Sequence, residues 1–186
     1  MSRARGAALI VSLVVSLAGY ARAEPLRILS LDQCADQYAL ALARPDDRLF
    51  LSPRADDSDS HMREAAAGHP RVRPTLEAAL IARPDVVIRY WGGEPRLLAA
   101  LERRGVQVAT IEDTADFDGV RRNVRNVSAE LDRHAEGAAL VEEMDARRHV
   151  QRRSRSPRGG GKPMVRAGER GAAVVRAAGA VCSRLL

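Results

Sequence analysis

Between residues 26 and 111 the chain switches repeatedly between two periods, and this alternation limits the fold more than any other feature. Short runs of aliphatic and β-branched residues stand at 26–31 (LRILSL), 48–52 (RLFLS), 85–90 (DVVIRY) and 106–111 (VQVATI). Each has the length and residue types of a buried strand. Between them lie stretches with helical spacing: 34–43 (CADQYALALA), 75–82 (TLEAALIA) and 94–105 (EPRLLAALERRG). Asp32 is placed to cap the first, Thr75 the second, and Pro84 ends the second. In the third, Leu97, Leu98 and Leu101 share a face, with Gly105 at the stop position. Strands separated by whole helices need crossover connections, so the expectation is an α/β fold with a mainly parallel sheet flanked by helices.

In such sheets ligands collect beyond the carboxyl ends of the strands. Three loops are expected there: LDQC after the first strand, SPRADD after the second and YWGG after the third. Past Asp116 the pattern becomes helical. Val120, Val124, Val127 and Leu131 form one stripe, and Ala138, Val141 and Met144 continue it. Two helices are expected, the second over about 132–148.

The two ends read differently. Arg3 and Arg5 precede an apolar run that closes on the small residues of ARA at 21–23. This is the pattern of a secretory signal peptide, cleaved before Glu24, and it implies export. The segment 149–186 is dominated by Arg, Gly, Ala and Val. It reads as an irregular basic tail, or as the product of a shifted reading frame. The net charge of +6 resides in these ends: +3 in residues 1–23 and +8 in 149–186 leave −5 for the body. The charge therefore does not point to nucleic acid, since it does not sit on the folded surface. Cys34 and Cys182 show neither a disulfide framework nor metal-ligand spacing. His61, His69, His134 and His149 form no ligand set in register. No G-x-S-x-G, H-E-x-x-H or P-loop is present, so neither a catalytic residue nor a cofactor is assigned.

Two stretches together resemble a known family: RILSLDQCADQYALALA, and TLEAALIARPDVVIRYWGGEPRLLAALERRGVQVATI. They look like the N-terminal lobe of class III periplasmic solute-binding proteins, the receptors of ABC importers for cobalamin, ferric siderophores and haem. The match runs through Leu76, Glu77, Leu80, Pro84, Asp85, Val86, Val87, Ile88, Gly105, Val106 and Val108. It covers about residues 26–148, and the YWGG loop is most similar to the cobalamin-binding members. The resemblance implies two α/β lobes that clamp a metal chelate without altering it. It also implies a monomer that docks on a permease in the inner membrane. The expected organisation is a signal peptide (1–23), an N-terminal lobe (24–131), a connector helix (132–148) and the tail (149–186). Too little chain follows for a second lobe, so truncation or a frameshift near residues 147–165 is expected. A nonfunctional truncated product and a basic-tailed interaction protein are the alternatives.

Candidate ligand contacts lie in the three loops. Trp91, the only tryptophan, reads either as packing on its sheet or as a flat apolar platform. The adjacent Gly92 and Gly93 suit a loop and favour the platform. Tyr90 reads either as part of the same platform or, alternating with Trp91, as a side chain that points into the core as Trp91 points out. Gln33 and Cys34 stand in the first loop, where family members contact ligand, although a cysteine there also suits burial. In the second loop Arg54 would pair a phosphate or carboxylate group of a ligand, or it reads with Asp56 and Asp57 as solvated loop charge. Glu77 matches the family position that docks on permease arginines, and it also reads as an ordinary solvated helix charge.

Overall fold

The computed structural model describes residues 24–155. The expected signal peptide, Cys182 and all of the basic segment beyond Arg155 lie outside the described residues, as does any second-lobe remnant there. The elements run β1 (Arg27–Ser30), α1 (Gln33–Leu42), β2 (Arg48–Phe50), α2 (Leu76–Ala82), β3 (Val86–Arg89), α3 (Pro95–Glu102), β4 (Gln107–Thr110), α4 (Phe117–Glu130) and α5 (His134–Arg155). All four strands are parallel, in the order β2-β1-β3-β4. Ile28 stands opposite both Leu49 and Val86, and Val87 stands opposite Val108.

Parallel strands must be covered on both faces, and the strand period supplies two apolar surfaces. Ile28, Val86 and Ile88 face one core with Tyr38 and Leu42 of α1, Val120, Val124 and Val127 of α4, and Val141 and Met144 of α5. Leu29, Val87 and Phe50 face the other, against Ala79 and Ala82 of α2 and Leu97 and Leu101 of α3. The valine stripe of residues 120–131 is thus the face that α4 lays on the sheet.

The helix ends follow their local chemistry. Asp32, Thr75 and Asp116 cap α1, α2 and α4 by accepting from the amides of Ala35, Ala78 and Gly119. Pro95 starts α3, where a missing N–H removes no helical bond. The helix expected over 132–148 begins at His134 and runs to Arg155. Its start is set by Asp132, whose φ of 52° breaks the run from α4. It continues because no proline or glycine interrupts it between Gly137 and Pro157. Gly137 lets α5 approach α4 closely: a Cβ there would lie 2.1 Å from Ser128 Oγ.

At the amino edge of the sheet, Asp47 ties three segments together. It accepts from the amides of Leu26 (2.8 Å) and Arg44 (2.7 Å) and from Arg133 Nη2 (3.1 Å). The Arg133 and Asp47 side chains are 1% and 0% exposed. Arg44 also donates to Glu136 of α5 at 2.6 Å.

Candidate ligand-binding site

From β1 the chain crosses outward to β2, then returns past β1 to β3 and on to β4. The direction of winding therefore reverses between β1 and β3, and the loops leaving those two strands diverge to open a crevice. Asp32 holds the two loops together across it. Its side chain is buried, and one oxygen caps α1 by accepting from Ala35 N at 2.9 Å. The other accepts from Tyr90 N at 2.7 Å and Gly92 N at 3.0 Å. One carboxylate thus satisfies three amides, in charge-assisted bonds stronger than neutral ones.

Gly92 sits where no side chain fits. A Cβ would lie 2.5 Å from the Leu31 carbonyl oxygen. Its own carbonyl accepts from Arg89 Nε at 2.8 Å, so the peptide is fixed at both ends. Between these anchors Trp91 is 62% exposed. Packing on the sheet does not account for such an indole. Tyr90 is half-buried against the α1 core, and its hydroxyl donates to Asp113 at 2.7 Å. That bond, with some burial and the negative charge of Asp113, raises the phenol above its usual pKa.

The second loop is held from α1. Asp36, fully buried, accepts from the amide and hydroxyl of Ser52 at 2.8 and 2.6 Å. Burial raises this carboxyl despite the Ser52 bonds. Gln37 donates to Ser60 Oγ at 2.8 Å and accepts from Met62 N at 3.0 Å. The sequence DQCADQ places Asp-Gln pairs four residues apart, and a helix brings this spacing onto one face. That pattern was a signal for a polar seam.

The remaining candidates are distributed as follows. Gln33 is half-buried and donates to Asp59 at 2.7 Å, linking the first and second loops. Arg54 is engaged by Asp57 at 2.7 Å and Asp59 at 3.9 Å. Asp56 pairs instead with Arg71 at 3.4 Å. Cys34 is half-buried in the first turn of α1 and is not a free thiol. Glu77 is exposed in the first turn of α2, on a helix that also exposes Leu76, Leu80 and Ile81. Among the described residues no cluster of His, Cys, Asp and Glu has the arrangement of a metal site.

No family model matches the chain, and no curated protein matches it. Solved structures do. A periplasmic heme-binding protein, BhuT, in complex with two hemes superimposes with a TM-score of 0.59 and 26% identity. The alignment covers 70% of this chain and 50% of that one. A periplasmic heme-binding protein from Pseudomonas aeruginosa gives a TM-score of 0.54 and 24% identity, over 70% of this chain and 46% of that one. RhuT from Roseiflexus sp. RS-1, a periplasmic heme-binding protein in apo form, gives 0.55 and 24%, over 72% and 53%. The chain has the fold of a periplasmic solute-binding protein. It spans about half the length of the solute-binding proteins it matches. The resemblance seen in LDQCADQ and PDVVIRYWGG therefore corresponds to a shared fold.

Proposed function

We propose that the chain supplies one wall of a periplasmic receptor that captures a flat metal chelate for an ABC importer. The ligand class is a haem, a ferric siderophore or a cobalamin, and no bond of it is made or broken. One observation carries this reading: the lone tryptophan is exposed on a loop that Asp32 and Arg89 hold rigid at the switch point of the sheet. An indole held this way presents a large apolar face at little further entropic cost, which suits a macrocycle or a chelate. The names of the matched proteins support the haem member of that class. The similarity of the YWGG loop supports cobalamin. Trp91 and Tyr90 form the platform, with Gln33, Cys34, Arg54 and Gly92 at its rim. Glu77 and the exposed Leu80 and Ile81 of α2 form the docking surface for the permease.

Trp91 emission is unique in the chain and reports binding directly. Titration of the full chain with hemin, cyanocobalamin and a ferric hydroxamate chelate should give saturable quenching with one of them. Calorimetry should show that ligand binding to Trp91→Ala is weaker by about 30-fold, roughly 2 kcal/mol. No saturable change with any of the three would rule out the platform.

A further inference from the structure

We infer that Arg89 is the anion contact of this site and selects ligands that carry a free carboxylate at their periphery. The inference rests on the reading of Trp91 as a platform and adds to it the feature that would discriminate among flat ligands.

Several charges at the carboxyl edge of the sheet are already engaged. Arg54 is engaged by Asp57 and Asp59, and Arg71 by Asp56. Asp113 accepts the Tyr90 hydroxyl, and Asp32 is saturated by three amides. Arg89 differs from Arg54 and Arg71. It closes the central strand β3, two residues before Trp91, and it is half-buried. It forms no ion pair with any described residue; its one hydrogen bond runs from Nε to the Gly92 carbonyl. A partly desolvated guanidinium without a counterion is an unusual arrangement, because burial of charge is normally offset by a partner.

The geometry of that single bond also matters. A guanidinium carries five N–H donors in a rigid plane. Fixing Nε on Gly92 orients the plane and leaves the terminal nitrogens unoccupied, and neither is sealed from solvent. That pair is the edge which meets a carboxylate in two parallel bonds. The same bond holds the Trp91 loop, so the cation and the indole belong to one rigid unit. A flat ligand stacked on Trp91 with an acidic substituent at its rim would satisfy both.

Hemin and its dimethyl ester test this, because they differ only in whether the two side-chain carboxyls are free. The full chain should bind hemin about 10-fold more tightly than the ester, read from Trp91 quenching and the haem absorption band. Arg89→Gln should abolish that preference, and Arg89→Lys should restore only part of it, since it returns the charge without the fork. A purely structural role would weaken both probes alike and leave the preference intact. Equal binding of both probes to the parent chain, or a preference that survives Arg89→Gln, would overturn the inference. If neither probe binds, the platform reading is decided by cyanocobalamin and the ferric chelate, and the anion role separately by NMR. A saturable acetate-induced shift of the Arg89 Nε–H signal, absent from the exposed Arg96, would sustain it; equal or no shifts would end it.

Discussion

Asp32 shows how much of this site depends on one side chain. Removing it strands the Gly92 and Tyr90 amides and uncaps α1. Losing a cap costs about 1 kcal/mol, and each buried amide left unpaired adds about 1–3 kcal/mol before relaxation. Asp32→Ala should therefore lower stability by about 3 kcal/mol in urea unfolding. It should also speed hydrogen exchange at Gly92 well beyond the global effect. Gly92→Ala probes the same loop from the other side. Its methyl group meets the Leu31 backbone, which cannot swing away as a flexible side chain would. The substitution should cost about 1–3 kcal/mol and weaken the quenching of Trp91 by ligand. Full stability with unchanged quenching would show that the loop has more slack than these distances imply.

Among the elements, α1 is the one that connects core and site. Its apolar residues face the sheet, whereas Asp32, Asp36 and Gln37 fasten the loops. Tyr38, on the same helix, is buried, and its phenol is pushed up to about 12 by that burial, with a bond to Asn123 of α4 acting in the opposite direction. The sign follows from linkage. A folded-state value above the unfolded 10.0 means that the stabilising contribution is complete below pH 10 and is lost as the pH rises towards 12. Unfolding free energy should fall by about 3 kcal/mol across that window. Tyr38→Phe should remove that part of the dependence. The α4–α5 pair depends on close approach instead. Gly137→Leu should force the helices apart at Ser128 and destabilise the chain by about 1–3 kcal/mol, measured by thermal melting.

At the scale of the whole molecule, the Asp47–Arg133 pair joins residues 86 apart in sequence and secures α5 beneath the sheet. Arg133 Nε and Nη1 have no partner, so the ion pair is only partly satisfied. Arg133→Met should cost about 3 kcal/mol by leaving the Asp47 carboxylate buried without its cation. The double variant with Asp47→Asn should recover part of that loss, and additive losses would show that the charges do not interact. The burial of Arg133 was not legible in the sequence. An arginine between two helices gives no periodic signal of burial, because its environment comes from Asp47 across the fold. Likewise, Arg54 of RADD after β2 is paired within its loop, whereas Arg89 at the end of β3 forms no ion pair with a described residue. The alternation of LRILSL, DVVIRY and VQVATI with helices, the caps at Asp32 and Thr75, and the loops that carry Trp91 and Gln33 were all legible in the chain. These features depend on residues within a few positions of one another, so local sterics and hydrogen bonding determine them. Strand order was not legible, nor were the carboxylate that bridges two loops, the occupied and open cations, and the course of α5 to Arg155. Each of the first three depends on which distant groups the parallel sheet brings within hydrogen-bonding distance, and only the assembled tertiary structure decides that.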